Sequence, residues 1–567
     1  MNKKIVLPII AILLVFVIIL SYSIMNREAV VPTDQVTTGD ATLTPTITSP
    51  AVTQAPTVTP TLTTIPDEQT SLYPAFKNIN NKKLYGYING SGAFVIQPEY
   101  DNAYDFNDGV AVVVEDTRYK IIDTSGAVIF ENDYIIHSFC NEAALFESYQ
   151  DNKILCGYVD TKGQVIVAPQ YIIADDFGED GQAFVSTAVG EFALIDKTGT
   201  IIESYQIDKK DDYIYDIDDG FILYNASGSN KMGVVTVKGV NVFEPIYSGI
   251  SYLGKGLFAM KDPKLESYEA PDAPAAIFNQ EGKQITDYTL YDVSTFKGDY
   301  FSATDSTSTF FVGIDGKEVT TLPKYEGRGS LTLEEDMVKA ELDNDLLYSN
   351  KNGATFWKSD TTIALSSGIT VNKIKYKPLR TTLVYYPQVV GFADVSIQDK
   401  VNSKLKDIFT EARAKLTPED MLSVQDDFQA ELINNLLIIN MTGYDYYAGA
   451  AHGMPLRNYY FIDVVTGDFY ELSDLFKVDI DYKTKLNELI TADIAKQSET
   501  EGSMFFPDSF VGISDLQPFF LTKDTLTIYF YPYDIAPYAA GFPEFTIPLA
   551  DISDYLDTNG AFWSSFH

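Results

Sequence analysis

The chain's supply of imidazole and thiol is small: three histidines, His137, His452 and His567, and two cysteines, Cys140 and Cys156. No His-x-x-x-His, no Cys-x-x-Cys and no dense His/Asp grouping occurs, so a catalytic zinc site has almost no ligand supply and neither metal nor cofactor is expected. A Ser-His-Asp arrangement would have to use His452 or His137, and neither lies near a nucleophile-elbow motif. Carboxylate pairs are unavoidable among 79 acidic residues and carry no weight. What stands out is aromatic. His452 sits in a GAAHG turn at residues 449–453, with Tyr444, Tyr446 and Tyr447 before it and Tyr533 and Tyr538 further on. Such a polar, ring-rich patch suits sugar stacking or a protein hot spot; the same residues also fit a histidine that bonds a tight turn beside core tyrosines. The reading is a ligand-binding site at Tyr444, Tyr447, His452, Tyr533 and Tyr538, on a protein that is not an enzyme.

Those residues belong to a chain of several pieces. Lys3 and Lys4 precede an uncharged run at 5–25, long enough at ~1.5 Å per residue to span a ~30 Å hydrocarbon layer. Positive charge on the short side puts residues 1–4 in the cytoplasm. The run is longer than an ordinary signal-peptide core and no clean cleavage site ends it, which favours an uncleaved anchor. Residues 31–66 hold 13 Thr and 6 Pro, a composition that buries no core, so 26–70 reads as an extended stalk.

Charge limits the partners. All 79 acidic residues and 39 of the 41 basic ones lie beyond the anchor, so the exported part carries 39 − 79 = −40. Nucleic acid and anionic lipid surfaces need a basic face and are excluded as partners; a cationic protein fits. The densest acidic grouping, Asp211, Asp212, Asp216, Asp218 and Asp219, lacks EF-hand spacing and reads as solvated loop. Cys140 and Cys156 would close a 15-residue gap if an oxidising compartment bridged them; the alternative is two buried thiols.

From about 71 to 360 the chain repeats itself. Turn glycines fall at Gly92, Gly126, Gly163, Gly199, Gly239, Gly282, Gly316 and Gly353, at steps of 34 to 43 residues. Three places earlier stands Asn or Asp in six copies; Thr236 and Gly313 break that pattern and predict different turns there. Each unit reads as a hairpin, an irregular return and a third strand such as 110–114. Eight such units predict an all-β array, either a β-propeller-like ring or a β-solenoid.

These units resemble the WG-repeat family, with Tyr85-Gly86, Cys156-Gly157 and Met232-Gly233 in the family's Trp-Gly slot and Phe192-Ala193 lacking the glycine as well. Beyond Gly368 the character changes. Ile397, Val401, Leu405, Ile408, Phe409 and Ala412 lie at helical spacing, and strands and a second helix follow, an α+β pattern over 369–557. The segments YPQVVGFADVSIQDKVNSKL, GAAHG, FFLTKDTLTIYFYPYDIAPYAAG and FTIPLADISDYL resemble the extracytoplasmic domain of RsiV-type anti-sigma factors and the non-catalytic region of PdaC-type peptidoglycan deacetylases. That resemblance implies binding of cell-wall material or of lysozyme, in a single-pass membrane protein with its bulk outside the cell. The alternatives are a transmembrane sensor of envelope stress acting through a membrane partner, or a non-catalytic accessory of peptidoglycan turnover.

Overall fold

The computed structural model describes residues 71–79, 82–150, 153–208, 212–229, 231–265, 272–501 and 504–567. The expected anchor at 5–25 and stalk at 26–70 lie outside the described residues. Among the described residues no helix is long and apolar enough to cross a membrane.

Residues 73–358 form eight small antiparallel sheets of three or four strands. The turn chemistry is uniform. In every copy the residue three before the turn glycine takes a hydrogen bond from that glycine's N–H, and gives its own N–H to the carbonyl one residue past it. The glycines lie at φ between +75° and +85°, where a Cβ would clash. Asn89 Oδ1 accepts from the N–H groups of Ser91 and Ala93, and Asp123, Asp160 and Asp196 repeat this pattern. The expectation of different turns at Thr236 and Gly313 is overturned. Thr236 Oγ1 takes the Val240 N–H at 3.1 Å in the carboxamide's place. At Gly313 the backbone pair closes the same turn, because the glycine C-terminal to it supplies the left-handed step.

The Gly of each aromatic-Gly pair has a second use. Tyr85 pairs with Tyr100 and Tyr87 with Ile96, so the strand Phe94–Tyr100 bulges opposite Gly86. The same register recurs at Cys156↔Tyr171 with Tyr158↔Val167, and at Met232↔Tyr247 with Val234↔Phe243. The bulge carries Pro98, Pro169 or Pro245 and brings backbone within 2.4–2.9 Å of where a glycine Cβ would stand. In the fourth sheet Ala193 replaces glycine and the opposing strand Ile201–Gln206 has no proline. There Phe192, Ala193 and Leu194 pair with Tyr205, Ser204 and Glu203 without a break. Glycine and bulge come and go together.

The sheets are out of phase with the sequence unit. The strand Val110–Glu115, at the end of one unit, pairs with Arg118–Asp123, the start of the next. Apolar residues then join each sheet to the following one. Tyr87 and Ile96 pack with Ala111 and Val113; Phe192 packs with Ile222 and Tyr224; Leu257 and Ile277 pack with Phe301 and Phe310. Ala75, Phe76 and Ile88 of the first sheet pack with Met337, Leu346 and Tyr348 of the eighth.

The remaining chain builds an α+β half. Its main sheet has seven strands, in sequence order from Ile363–Ala364 to Phe469–Tyr470. All neighbours are antiparallel except Thr382–Val390 with Leu422–Ile433, whose connection contains helix α1 (Val395–Thr410). Asp394 caps α1 through the N–H groups of Ser396 and Ile397, and the predicted stripe buries Val401, Leu405 and Phe409. Alternation along Leu436–Tyr447 sends Leu437 and Ile439 towards α1. It sends Leu436 and Ile438 towards helix α2 (Tyr482–Glu501) and the three-stranded sheet holding Phe519, Ile528 and Phe545.

Candidate functional site

The strands Leu436–Tyr447 and Met454–Asp463 form a long hairpin, in register from Leu436↔Asp463 to Asp445↔Met454. The GAAHG turn closes it. Gly453 donates its N–H to the Tyr444 hydroxyl at 2.9 Å, and the buried Gly453 leaves no room for a Cβ against that ring. His452 Nδ1 lies 3.0 Å from the Gly453 carbonyl. A carbonyl only accepts, so Nδ1 carries a proton, and in the neutral ring Nε2 accepts from the Tyr533 hydroxyl, 3.0 Å away.

Tyr533 and Tyr538 arrive from the segment after Thr525–Tyr529, which is clasped to the hairpin. Tyr529 gives its hydroxyl proton to the Arg457 carbonyl at 2.9 Å, and Tyr531 gives its own to Asn458 Oδ1 with the Arg457 carbonyl 3.2 Å away. The Arg457 guanidinium lies 4.3 Å from each of the Tyr529 and Phe542 ring centres and pairs with Glu544 at 2.7 Å. Tyr538 stacks on His452 at 3.8 Å between ring centres, tilted 26°. Burial pushes the Tyr538 hydroxyl up to about 12, and the neighbouring Tyr444 and Tyr533 rings add to the shift. Tyr533 is half exposed and holds φ = +76°, a costly backbone for a bulky residue, kept by the Tyr533 N–H to Ala536 bond and the His452 contact. Four of the five predicted site residues, Tyr444, His452, Tyr533 and Tyr538, therefore meet. Tyr447 stands apart, opposite Leu422 at the strand end and 55% exposed.

Two features of the site escaped sequence reasoning. The first is Arg413, just beyond α1. Its guanidinium grips Asp426 with two bonds of 2.8 and 3.1 Å and Asp445 with two of 2.9 and 2.8 Å. Burial lifts the Asp426 carboxyl above its usual range while the Arg413 fork pulls against that lift. Asp445 neighbours Tyr444, so this fork holds the tyrosine end of the hairpin. No spacing signals it, because its partners lie 13 and 32 residues away on other strands.

The second is the junction between the two halves. Asp343 of the eighth sheet receives Lys377 Nζ at 2.6 Å, Lys375 Nζ at 3.2 Å and the Arg328 N–H at 3.1 Å, and its carbonyl accepts from the Tyr385 hydroxyl. Burial would raise its carboxyl, but the lysines outweigh burial and hold it below the usual range. Asp272 takes Arg380 Nη2 at 3.0 Å and the Ser423 hydroxyl at 3.1 Å. Beside these bonds opens a cleft of ≈ 750 Å³ lined from both halves, with Tyr85 on one wall and Tyr444 and Tyr446 on the other.

The acidic grouping around Asp218 is not simple solvated loop. Asp218 and Asp175 come from adjacent sheets and are both half-buried. Burial first, then mutual repulsion with Asp176, Asp216 and Asp219, pushes Asp175 up to about 8 and Asp218 up to about 7. Among the described residues no three His, Cys, Asp or Glu side chains are placed to hold a metal ion. Carboxyls raised in the fold and ordinary when unfolded favour the fold at low pH, and that advantage fades as pH climbs from about 4 through 7 to 8. The repeats should therefore melt several degrees higher at pH 5.5 than at pH 8.5, and Asp175→Asn should shrink the gap. An unchanged gap in that variant, read by circular dichroism, would rule these carboxyls out as its source.

The considered bridge between Cys140 and Cys156 does not form; both are free thiols. Cys156 sits mid-strand opposite Glu147, whereas Cys140 lies beyond the strand end, bridged to Ala143. Four strand residues span ~13 Å, well outside disulfide reach. Burial lifts the Cys156 thiol to about 11.

Comparison with known proteins bears on both halves. A family model described as a WG containing repeat matches residues 85–119 and 157–187. One described as a protein of unknown function (DUF3298) matches residues 473–550. No curated protein matches the chain. Among solved structures it is similar to a DUF3298 family member from Bacteroides fragilis, at 19% identity over 36% of this chain and 98% of that one, TM-score 0.29. A DUF3298 family protein from Pseudomonas aeruginosa matches at 17% over 34% and 94%, TM-score 0.26. Hsv2 of Kluyveromyces lactis matches at 12% over 50% and 94%, TM-score 0.25. The chain carries WG-containing repeats in its N-terminal half and a DUF3298 domain at its C-terminus.

Proposed function

We propose that this chain is a membrane-anchored, extracytoplasmic binding protein of the bacterial cell envelope. Its repeats form a platform, and its C-terminal domain recognises a cell-wall-related ligand or a cationic protein such as lysozyme. The observation that carries the reading is the convergence of Tyr444, His452, Tyr533 and Tyr538 from segments 81 residues apart into one partly exposed stack. Strain held at an exposed aromatic is a mark of a site kept for contact. The anchor reading rests on the apolar run at 5–25, and the charge of −40 beyond it would draw in cationic partners.

The platform reading is a closed, propeller-like ring of eight sheets. Supporting it are the shared core of the first and eighth sheets, the Tyr348 hydroxyl bonded to the Pro74 carbonyl at 2.7 Å, and Lys339 paired with Asp105 at 2.9 Å. Closure would cover the outer faces of the first and eighth sheets and leave only short, protected strand edges.

The test is a pull-down of the full chain with purified sacculi and, separately, with lysozyme, at low salt and at ~0.15 M salt. His452→Ala and Tyr538→Ala leave net charge nearly unchanged and should each weaken capture at the higher salt about tenfold. Capture untouched by both substitutions in folded protein removes this stack as the site. No capture of either probe at low salt defeats the binding role.

A further inference from the structure

We infer that the cleft between the two halves is a second site, which binds a neutral linear oligosaccharide with Tyr85 and Tyr444 as its ring faces. The inference rests on the proposed binding role but not on the His452 stack as the only contact.

The walls decide the ligand class. At ≈ 750 Å³ the cleft lies within the ~300–1,000 Å³ of small-ligand sites. Its cations are already engaged. Arg328 Nε is 2.8 Å from Asp292, Lys377 is bound to Asp343, and Arg380 is bound to Asp272 with its guanidinium 4.3 Å from the Tyr291 ring. Lys83 stands over the rings of Phe76 and Tyr85, 3.8 and 5.2 Å from their centres, and leaves the other face of Tyr85 to a ligand. An anionic ligand such as a phosphate or nucleotide would have to displace carboxylates already paired in partly buried sites, Asp343 among them buried, and would meet Glu341 and Asp345 on the same walls. An apolar ligand would meet these same charges without satisfying them.

What remains available is of another kind. The Glu341 side chain is 57% exposed, and its nearest cation, Lys339 at 3.8 Å, is held closer by Asp105 at 2.9 Å. Carboxylate oxygens free to accept, neutral groups at Ser330 and Gln425, and the faces of tyrosines on opposite walls match a ligand rich in hydroxyls and C–H faces. Tyr85 occupies the slot that is Cys156 in the third sheet, where the side chain packs into the core. In the first sheet Tyr85 packs partly against the core and also lines the cleft. Tyr444 is shared: it lines the cleft, and its hydroxyl reaches Gly453 and Tyr538 in the stack. A chain of several sugar rings lying in the cleft would therefore run out onto His452.

The experiment is calorimetric titration of the full chain with two neutral probes, the tetramer of N-acetylglucosamine and maltotetraose. At least one should bind. Tyr85→Ala should weaken it about tenfold and Glu341→Gln severalfold, while Tyr85→Phe should retain it. Glu341 is exposed enough that its substitution reports on binding even if Tyr85→Ala disturbs the first sheet. Affinity within twofold of wild type in both Tyr85→Ala and Glu341→Gln overturns the inference, whether or not His452→Ala abolishes binding. Absence of tetrasaccharide binding in protein that still captures lysozyme also overturns it and leaves the broader binding role standing.

Discussion

Arg413→Ala should cost the C-terminal half about 3–5 kcal/mol, because it strands a carboxylate with no exposed surface. Asp426 is fully buried and Gly443 sits against it so closely that a Cβ there would fall 2.2 Å from its Oδ1. Arg413→Lys keeps the charge but not the fork, and should fall between the two. Urea unfolding followed by near-ultraviolet dichroism reads the change. A loss below about 1 kcal/mol would mean that Asp426 protonates or finds another donor. The same substitution frees Asp445, so ligand capture by the tyrosine end should weaken before the domain melts.

The second large effect lies in the repeats. Gly157→Ala places a Cβ 2.6 Å from the Val167 carbonyl and 2.8 Å from the Pro169 nitrogen, both backbone atoms that cannot swing aside. It should destabilise the array by about 1–3 kcal/mol. Gly90→Ala is the control, with nothing within 4 Å of the added carbon, and should be close to neutral. Thermal unfolding compares the two. Equal melting of both variants would show that the bulge can flatten to the regular pairing seen opposite Ala193, and that the glycine is not needed.

Local signals were legible; those made across the fold were not. The turn glycines, the Asx residues before them and the α1 stripe each act within a few positions, and each stands where its spacing indicated. His452 and its tyrosines were legible as types, though Tyr447 shows that neighbours in sequence on a strand end need not share a surface. The turns at Thr236 and Gly313 were misread because a backbone hydrogen-bond pair and one left-handed glycine suffice without an Asx side chain. The phase of the sheets, the Arg413 fork, the Asp343 and Asp272 contacts and the cleft beside them all join distant segments. A repeat period carries no information about which strand pairs with the next unit, and two aspartates far down the chain give an arginine no pattern to match. The cysteines illustrate the same limit: 15 intervening residues look bridgeable until the strand register sets one at mid-strand and the other past the strand end.

The bond between Tyr348 and Pro74 has a further consequence, in the order of synthesis. Its partners are 274 positions apart. At ~5–20 residues made per second, the apolar face of Ala75, Phe76 and Ile88 waits roughly 15–55 s for the strand that covers it. Every other sheet meets its neighbour within one unit of chain growth. The first sheet is thus the earliest made and the last completed, and for that interval it is the part of the nascent chain most in need of a chaperone's cover.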